Sequence, residues 1–331
     1  MTNLNFPDLS ATNTDHQWKR FCELLWFREE LGIWLDISKI NITASEFKAL
    51  EVPFHKAFVS MKELENGCLA NKEENRMVGH YWLRSPHLAP NDKLSRSIID
   101  QIDQIEDFGK SILKGHIKTD EGNLFTDVLW IGIGGSGLGP RLIINSLQDN
   151  FSGLRFHFLD NVDPVGIKKK FDQIGSNIRN TLFVIVSKSG GTPEPQICMD
   201  QSRNLLESNG YNWQSRAVVI TMPNSKLDNL ANNECWLKRF ELPDWVGGRT
   251  SITSSVGLLA LSLIQSDYKS FLSGASIMDK YTREQNIYDN PAALLAASWF
   301  STGKGKGLKD MVVLPYSDKL EVFSKYLQQL I

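Results

Sequence analysis

The pattern of hydrophobic positions changes near residue 120. From about 16 to 115, apolar residues recur three and four positions apart, as in HQWKRFCELLWFREELGIWL (16–35) and LSRSIIDQIDQIEDFGKSILKG (94–115). This spacing predicts a mainly helical N-terminal region, interrupted by a loop at RSPHLAPND (84–92). After 120, short β-rich runs alternate with helical stretches, which is typical of an α/β fold with a parallel sheet covered by helices on both faces.

Several apolar runs predict the strands of this sheet, and a helical pattern of about a dozen residues follows each of the first four. The runs are TDVLWIGI (126–133), LRFHFLD (154–160), TLFVIVS (181–187) and RAVVITM (216–222), with CWLKRFEL (235–242) as a candidate fifth.

The same pattern resumes near the C terminus. It predicts a strand from Met311 to Pro315 and a helix from about Asp318. One strand and one helix cannot bury their apolar faces alone, so we interpret this segment as the first βα unit of an incomplete second sheet domain. The predicted parts are a helical N-terminal region (1–120), a first sheet domain (121–290) and the start of a second (291–331).

Composition narrows the class of protein. The 331 residues are 41% hydrophobic and carry 36 basic and 38 acidic side chains, a formal net charge of −2. No basic block could follow a nucleic-acid backbone, and no run reaches the roughly 18 apolar residues of a membrane span. The four cysteines are far apart and lack metal-ligand spacing. We therefore expect a cytoplasmic protein with reduced cysteines, no metal, and neither nucleic acid nor membrane as partner.

The segment VLWIGIGGSGLGP (128–140) places a glycine-rich turn after a predicted strand. Gly132, Gly134 and Gly137 satisfy G-x-G-x-x-G, and Asp160 ends the next strand, as in a dinucleotide-binding fingerprint. Any tight turn that lets backbone approach a ligand needs glycines for the same steric reason. A dinucleotide site, a sugar-phosphate site and a packing turn without ligand therefore stay open at this point.

A second loop, VSKSGGTPEPQ, follows the third predicted strand. Ser187, Ser189 and Thr192 supply hydroxyls, Lys188 supplies a charge, and two glycines expose backbone N–H groups. Thr192 fits the N-cap of a helix whose first residue is Pro193. These donors predict an anion site, the alternative being a solvated hydroxyl-rich cap. A dehydrogenase would not need this second loop, and adjacent parallel strands should bring both loops to one cleft.

A third segment, DWVGGRTSITSSVGLL (244–259), places Arg249 after two glycines. A guanidinium fixed close to a ligand suits an anionic intermediate. Taken alone, an arginine in this position is more often a surface charge than a ligand-binding residue.

Six motifs in this order resemble those of the glucose-6-phosphate isomerase family. They are GIGGSGLGP, NVDP (161–164), SKSGGTPE, SKLDNLA (225–231), GGRTSITSSVGL and YLQQ (326–329). RMVGHYWLR (76–84) is also similar but less diagnostic. The resemblance implies two sugar isomerase (SIS) domains, each a parallel sheet between helices, in a homodimer without cofactor or metal. It also implies the interconversion of glucose 6-phosphate and fructose 6-phosphate through an enediolate, in glycolysis and gluconeogenesis.

The resemblance assigns roles to eight positions of this chain. Ser187, Lys188, Ser189 and Thr192 would bind the phosphate, Gly135 and Ser136 would line the sugar site, Arg249 would stabilise the enediolate, and Gln329 would contact the substrate.

One departure from the family pattern concerns the catalytic base. The family's glutamate lies four residues after the second glutamine of the QQ pair, and its histidine and lysine lie further on, all beyond Ile331. We therefore expect a truncated form that binds sugar phosphate weakly and isomerises little, since a general base contributes about 10²- to 10⁴-fold. His80 and His87 are not given these roles because neither lies in a matching motif. A regulatory protein that binds phosphosugars through one SIS domain is the alternative, followed by a nicotinamide dehydrogenase.

Overall fold

A computed structural model describes residues 6–10, 13–149 and 152–331 of the chain. The helices are α1 (Thr14–Leu24), α2 (Ala44–Glu65), α3 (Asp92–Leu113), α4 (Gly135–Leu147), α5 (Pro164–Ile174), α6 (Pro193–Ser208), α7 (Lys226–Asn233), α8 (Ser255–Leu263), α9 (Tyr268–Thr282), α10 (Pro291–Thr302) and α11 (Phe323–Leu330). The strands are β1 (Leu25–Arg28), β2 (Ile33–Asp36), β3 (Leu69–Asn71), β4 (Arg76–Met77), β5 (Asp127–Ile131), β6 (Arg155–Leu159), β7 (Thr181–Val186), β8 (Ala217–Thr221) and β9 (Lys238–Glu241). The predicted α/β class is confirmed.

The chain divides into two compact units. The first contains residues 1–66 and 270–313, and the second contains residues 67–269 and 314–331. These units interleave along the chain, whereas the predicted division into 1–120, 121–290 and 291–331 runs consecutively. The division into two units does not test the three predicted parts, which stay a proposal.

The first unit contains a β-hairpin within a stretch whose apolar spacing predicted helix. Helix α1 ends at Leu24, and β1 pairs antiparallel with β2. Gly32 in the connecting turn has φ +59°, a left-handed conformation that glycine adopts without a steric penalty. Phe27 and Trp34 pair across the hairpin and stack with ring centroids 4.6 Å apart. The helical prediction was wrong here because this turn and cross-strand pair override the three-and-four spacing of the apolar residues.

The second unit is built on a five-stranded parallel sheet in the order β6-β5-β7-β8-β9. All five predicted strands are confirmed. Every residue of β5, β7 and β8 is buried, as expected for strands covered on both faces. Side chains of α5, α6 and α7 pack on one face, in the core that contains Leu129, Phe183 and Val219.

Helices α3 and α4 cover the other face of this sheet. Phe108 of α3 meets Phe240 of β9 edge to face, with ring centroids 5.5 Å apart. Trp130 of β5 is fully buried and reaches the first turn of α4, and α8 packs against both helices. The predicted covering of the sheet on two faces is confirmed.

The register of the sheet fixes where its loops begin. Ile131, the last residue of β5, pairs with Ile185 of β7, one residue before β7 ends. The glycine turn and the Ser187 loop therefore leave the sheet at the same carboxyl edge, where ligands bind in open parallel sheets.

The predicted strand from Met311 to Pro315 is wrong. Within the part of the chain that the structure describes, these residues belong to no strand and pair with no neighbour. Val312 is 75% exposed, and apolar β-rich composition does not form a strand without a partner to bond with. The predicted helix near Asp318 is confirmed as a 3-10 turn at Asp318–Leu320 followed by α11.

Among the described residues, none of the helices combines the length and apolar character that crossing a bilayer requires.

Candidate functional site

The glycine turn lies very close to two other parts of the second unit. Gly134 has φ +57°, and a Cβ there would lie 2.4 Å from Nε2 of Gln329. A Cβ on Gly135 would lie 2.1 Å from the carbonyl oxygen of Gly248, in the 3-10 turn Gly248–Thr253 that carries Arg249. Gly134 needs glycine because of its positive φ, and Gly135 needs it because a Cβ would clash with the backbone of the arginine segment.

The first turn of α4 is held by an unusual donor. Pro140 has no N–H to donate to the carbonyl of Ser136, four residues before it. The indole N–H of the buried Trp130 donates to that carbonyl instead, at 2.8 Å. The sheet therefore fixes Ser136 at the start of the helix.

Asp160, the acidic member of the dinucleotide fingerprint, is used within the protein. Arg141 of α4 forms an ion pair with its carboxylate at 3.1 Å. The carboxylate thus already has a cationic partner at the position where a ribose hydroxyl would be bound.

One cavity of about 350 Å³ brings the glycine turn and the second loop together, and we call it the anion cavity. The predicted residues that line it are Ser136, Ser187, Lys188, Ser189 and Thr192. The prediction that both loops share one cleft is confirmed, while the role of each residue stays a prediction.

Ser187 carries an unsatisfied hydroxyl at the wall of the anion cavity. The residue is 5% exposed, and its Oγ has no hydrogen-bond partner among the described residues. Thr192 is the N-cap of α6, as predicted, yet its hydroxyl lies 3.3 Å from Oγ of Ser189 and does not cap the helix. The partnerless hydroxyl of Ser187 and the hydroxyl pair of Ser189 and Thr192 therefore lie next to the N-terminus of a helix that begins with Pro193, where an anion is favoured.

Lys188 lines the anion cavity, but its amino group is bonded elsewhere. Nζ donates to the backbone carbonyls of Asp244 and Val246, both at 2.7 Å. Burial, and then the positive charge of Arg76, hold the pKa of Lys188 below its usual value. The side chain thus ties the loop after β7 to the segment that leads to Arg249.

A second cavity, of about 590 Å³, contains the other predicted residues, and we call it the arginine cavity. Gly135, Ser136, Arg249 and Gln329 line it. Ser136 also lines the anion cavity, as does Ile133, so the two cavities share a wall. The hydroxyl of Tyr326 in α11 donates to the carbonyl of Arg249 at 3.3 Å.

Three ionisable lining residues were missed or set aside in the sequence analysis. Glu74 and Arg76 of the β3–β4 hairpin line the anion cavity, and His80 lines the arginine cavity. Arg76 and His80 belong to RMVGHYWLR, the motif whose similarity to the family is less diagnostic. That motif was the available signal.

Within residues 6–10, 13–149 and 152–331, no three His, Cys, Asp or Glu side chains are grouped so that they could hold a metal ion. The predicted lack of metal and cofactor stays a prediction.

A family model described as phosphoglucose isomerase matches residues 36–331. The chain belongs to the phosphoglucose isomerase family. Two relatives named glucose-6-phosphate isomerase match it over 328 residues, or 99% of the chain. The protein of Prochlorococcus marinus (strain MIT 9211) is 63% identical, and that of Synechococcus sp. (strain CC9902) is 56% identical. The chain spans 62% of the length of each of these relatives.

Two solved structures share the fold of this chain. A crystal structure of a glucose-6-phosphate isomerase from Chlamydia trachomatis matches 98% of the chain with a TM-score of 0.84, at 24% identity and over 62% of its own length. A hypothetical protein from Thermus thermophilus matches 86% of the chain with a TM-score of 0.62, at 24% identity and over 60% of its own length. The family membership removes the nicotinamide dehydrogenase alternative.

Proposed function

We propose that this chain provides the sugar-phosphate-binding part of an enzyme that interconverts glucose 6-phosphate and fructose 6-phosphate. The observation that carries the proposal is the wall shared by the two cavities. One cavity offers the unsatisfied hydroxyl of Ser187 and the other offers Arg249, and Ser136 borders both. A phosphorylated sugar can place its phosphate in the first cavity and its reacting carbons in the second.

The phosphate end of the substrate would be bound by hydrogen bonds, and the reacting end would be stabilised by a fixed positive charge. Hydroxyls and the N-terminus of α6 favour a phosphate dianion, and each hydrogen bond to a charged group is worth about 1.5–3 kcal/mol. Arg249 would stabilise the oxygen that becomes negative when a proton leaves carbon. A fixed cation beside an enediolate stabilises the transition state more than the neutral sugar, so it accelerates the reaction.

Proton transfer also needs a base, and we propose that it is supplied by a segment of the family's sequence that these 331 residues do not cover. Isomerisation is therefore proposed for a chain that includes that segment, while sugar-phosphate binding is proposed for these 331 residues. We further propose a cytoplasmic homodimer acting in glycolysis and gluconeogenesis, without metal, cofactor, nucleic acid or membrane.

Calorimetric titration of the 331-residue chain tests the binding proposal. Glucose 6-phosphate should bind, glucose should bind far more weakly, and NAD should not bind. Far-UV circular dichroism verifies that the protein is folded in each titration. Equal affinity for glucose and glucose 6-phosphate, or micromolar binding of NAD, would contradict the proposal.

A chimaera tests the reaction. The chain is extended with the C-terminal segment of the Prochlorococcus marinus (strain MIT 9211) relative, and fructose 6-phosphate formation is followed in a coupled assay. Turnover is expected, and Arg249→Gln should lower kcat by about 10²- to 10³-fold, as for loss of one donor to a developing oxyanion. Binding without turnover in a folded chimaera would instead favour the regulatory phosphosugar-binding protein.

A further inference from the structure

Three charged side chains line the anion cavity: Glu74, Arg76 and Lys188. A phosphate dianion placed there would meet two positive charges and one negative charge. Which of the positive charges can contact the phosphate depends on what each already binds.

The ammonium of Lys188 is already engaged. Two backbone carbonyls accept from Nζ at 2.7 Å, and the residue is half-buried. Turning the ammonium toward a ligand would leave both carbonyls, of Asp244 and Val246, without this donor. Lys188 therefore contributes a fixed positive field and is held away from direct contact with a phosphate.

The guanidinium of Arg76 is much less committed. Its Nη1 donates to Oε2 of Glu74 at 3.2 Å, and a guanidinium has five N–H donors in all. The pair is partly exposed, with 26% of the Arg76 side chain and 54% of the Glu74 side chain accessible. Exposed ion pairs of this kind are weak because water screens them.

Glu74 keeps a partner if Arg76 leaves it. The side-chain amide of Asn71 donates to the same Oε2 at 2.8 Å, and the backbone N–H of Glu74 donates to Oδ1 of Asn71 at 3.1 Å. The carboxylate is thus held by the hairpin itself and is not stranded when the guanidinium moves.

We propose that Arg76 is the direct charged partner of the substrate phosphate, and that Glu74 forms an ion pair with the Arg76 guanidinium when phosphate is absent. This inference rests on the proposed function, because it assumes that the anion cavity takes a phosphate. Phosphate and carboxylate compete for the same planar donor, and Arg76 can bind a phosphate through two parallel hydrogen bonds. The hairpin β3–β4 therefore carries a phosphate contact in addition to the two loops at the sheet edge.

The test uses variants with opposite expected effects on binding. Inorganic phosphate and glucose 6-phosphate are titrated separately into the wild-type chain, Arg76→Gln and Glu74→Gln. Arg76→Gln should weaken the binding of both by about 10- to 150-fold, the loss of one hydrogen bond to a charged group. Glu74→Gln should tighten binding by about 1.5- to 5-fold, because a competing carboxylate is removed. A merely structural role for the hairpin would not predict tighter binding.

Arg239→Gln is the matched control. Arg239 also pairs with a carboxylate, that of Asp228 at 2.8 Å, and 41% of its side chain is exposed, but it lines neither of the two cavities. The Arg239→Gln variant should bind phosphate with the same affinity as the wild type. Circular dichroism confirms that each variant is folded.

The outcomes separate this inference from the proposed function. A wild-type chain that binds neither ligand overturns the proposed function, and the role of Arg76 with it. Wild-type binding that Arg76→Gln leaves intact overturns the inference alone. Weaker binding by Glu74→Gln overturns the exchange between carboxylate and phosphate.

Discussion

Replacing Ser187 by alanine separates ligand binding from stability. The hydroxyl of Ser187 is buried, and no described residue hydrogen-bonds with it in the ligand-free protein. Its removal should therefore weaken phosphate binding without loss of an existing bond. Stability and affinity should change in opposite directions.

The size of each effect follows from the burial of that hydroxyl. A buried hydroxyl without a partner costs about 1–3 kcal/mol in mutational data, so Ser187→Ala should raise the free energy of unfolding by about 1 kcal/mol or more. The same substitution removes a donor to a charged phosphate, worth about 1.5–3 kcal/mol. The Kd for glucose 6-phosphate should therefore rise by about 10- to 150-fold.

Urea unfolding followed by tryptophan fluorescence measures the first effect, and calorimetric titration measures the second. Ser202→Ala is the control, because Ser202 is also buried, and it lies on α6, which follows the same loop. Its Oγ donates to the carbonyl of Cys198 at 2.7 Å. Ser202→Ala should leave ligand affinity unchanged. The free energy of unfolding lost with this hydrogen bond is offset by the better helix propensity of alanine.

Two results would refute this reasoning. If Ser187→Ala destabilises the ligand-free chain by more than about 1 kcal/mol, the hydroxyl has a partner within the protein. If the variant binds glucose 6-phosphate as tightly as the wild type, the hydroxyl does not contact the phosphate.

Three further predictions concern the scaffold. Gly135→Ala should lower the free energy of unfolding by about 1–3 kcal/mol in urea melts, because its Cβ would lie 2.1 Å from a backbone carbonyl oxygen. Gly139→Ala on the same helix makes only ordinary contacts with Ile252, at 3.5 Å or more, and should be neutral or stabilising. Trp130→Phe should cost about 1–3 kcal/mol in the same assay by leaving the Ser136 carbonyl without its donor, and an unchanged midpoint would contradict this. Burial raises the pKa of the Cys198 thiol to about 11. Ellman's reagent near pH 8 should therefore label the three exposed cysteines quickly and Cys198 only on unfolding. Fast labelling of all four thiols would disprove this prediction.

The sheet and its loops could be predicted from the sequence because their signals are local. Strands buried on both faces appear as short apolar runs, and the donors of the second loop follow one strand directly. Parallel strands bring the ends of β5 and β7 to one edge, so Ser136 and Ser187 could be expected in a common cleft.

The rest depended on contacts between distant parts of the chain. Arg76 lies more than a hundred residues before Lys188 in the sequence, and no local pattern places a hairpin beside that loop. The direction of the Lys188 ammonium depends equally on the carbonyls near Val246. The strand predicted from Met311 to Pro315 failed for a related reason. A strand needs a neighbouring strand to hydrogen-bond with, and local composition does not show whether one is present.

Under the proposed function, a ligand must reach both the anion cavity and the arginine cavity to bind tightly. A compound confined to one side of Ser136 obtains only that side's contacts, so inorganic phosphate and unphosphorylated glucose should occupy their halves together without displacing each other. A molecule that reaches both cavities loses translational and rotational entropy only once for both sets of contacts. Covalent linkage between sugar and phosphate is therefore itself a source of selectivity.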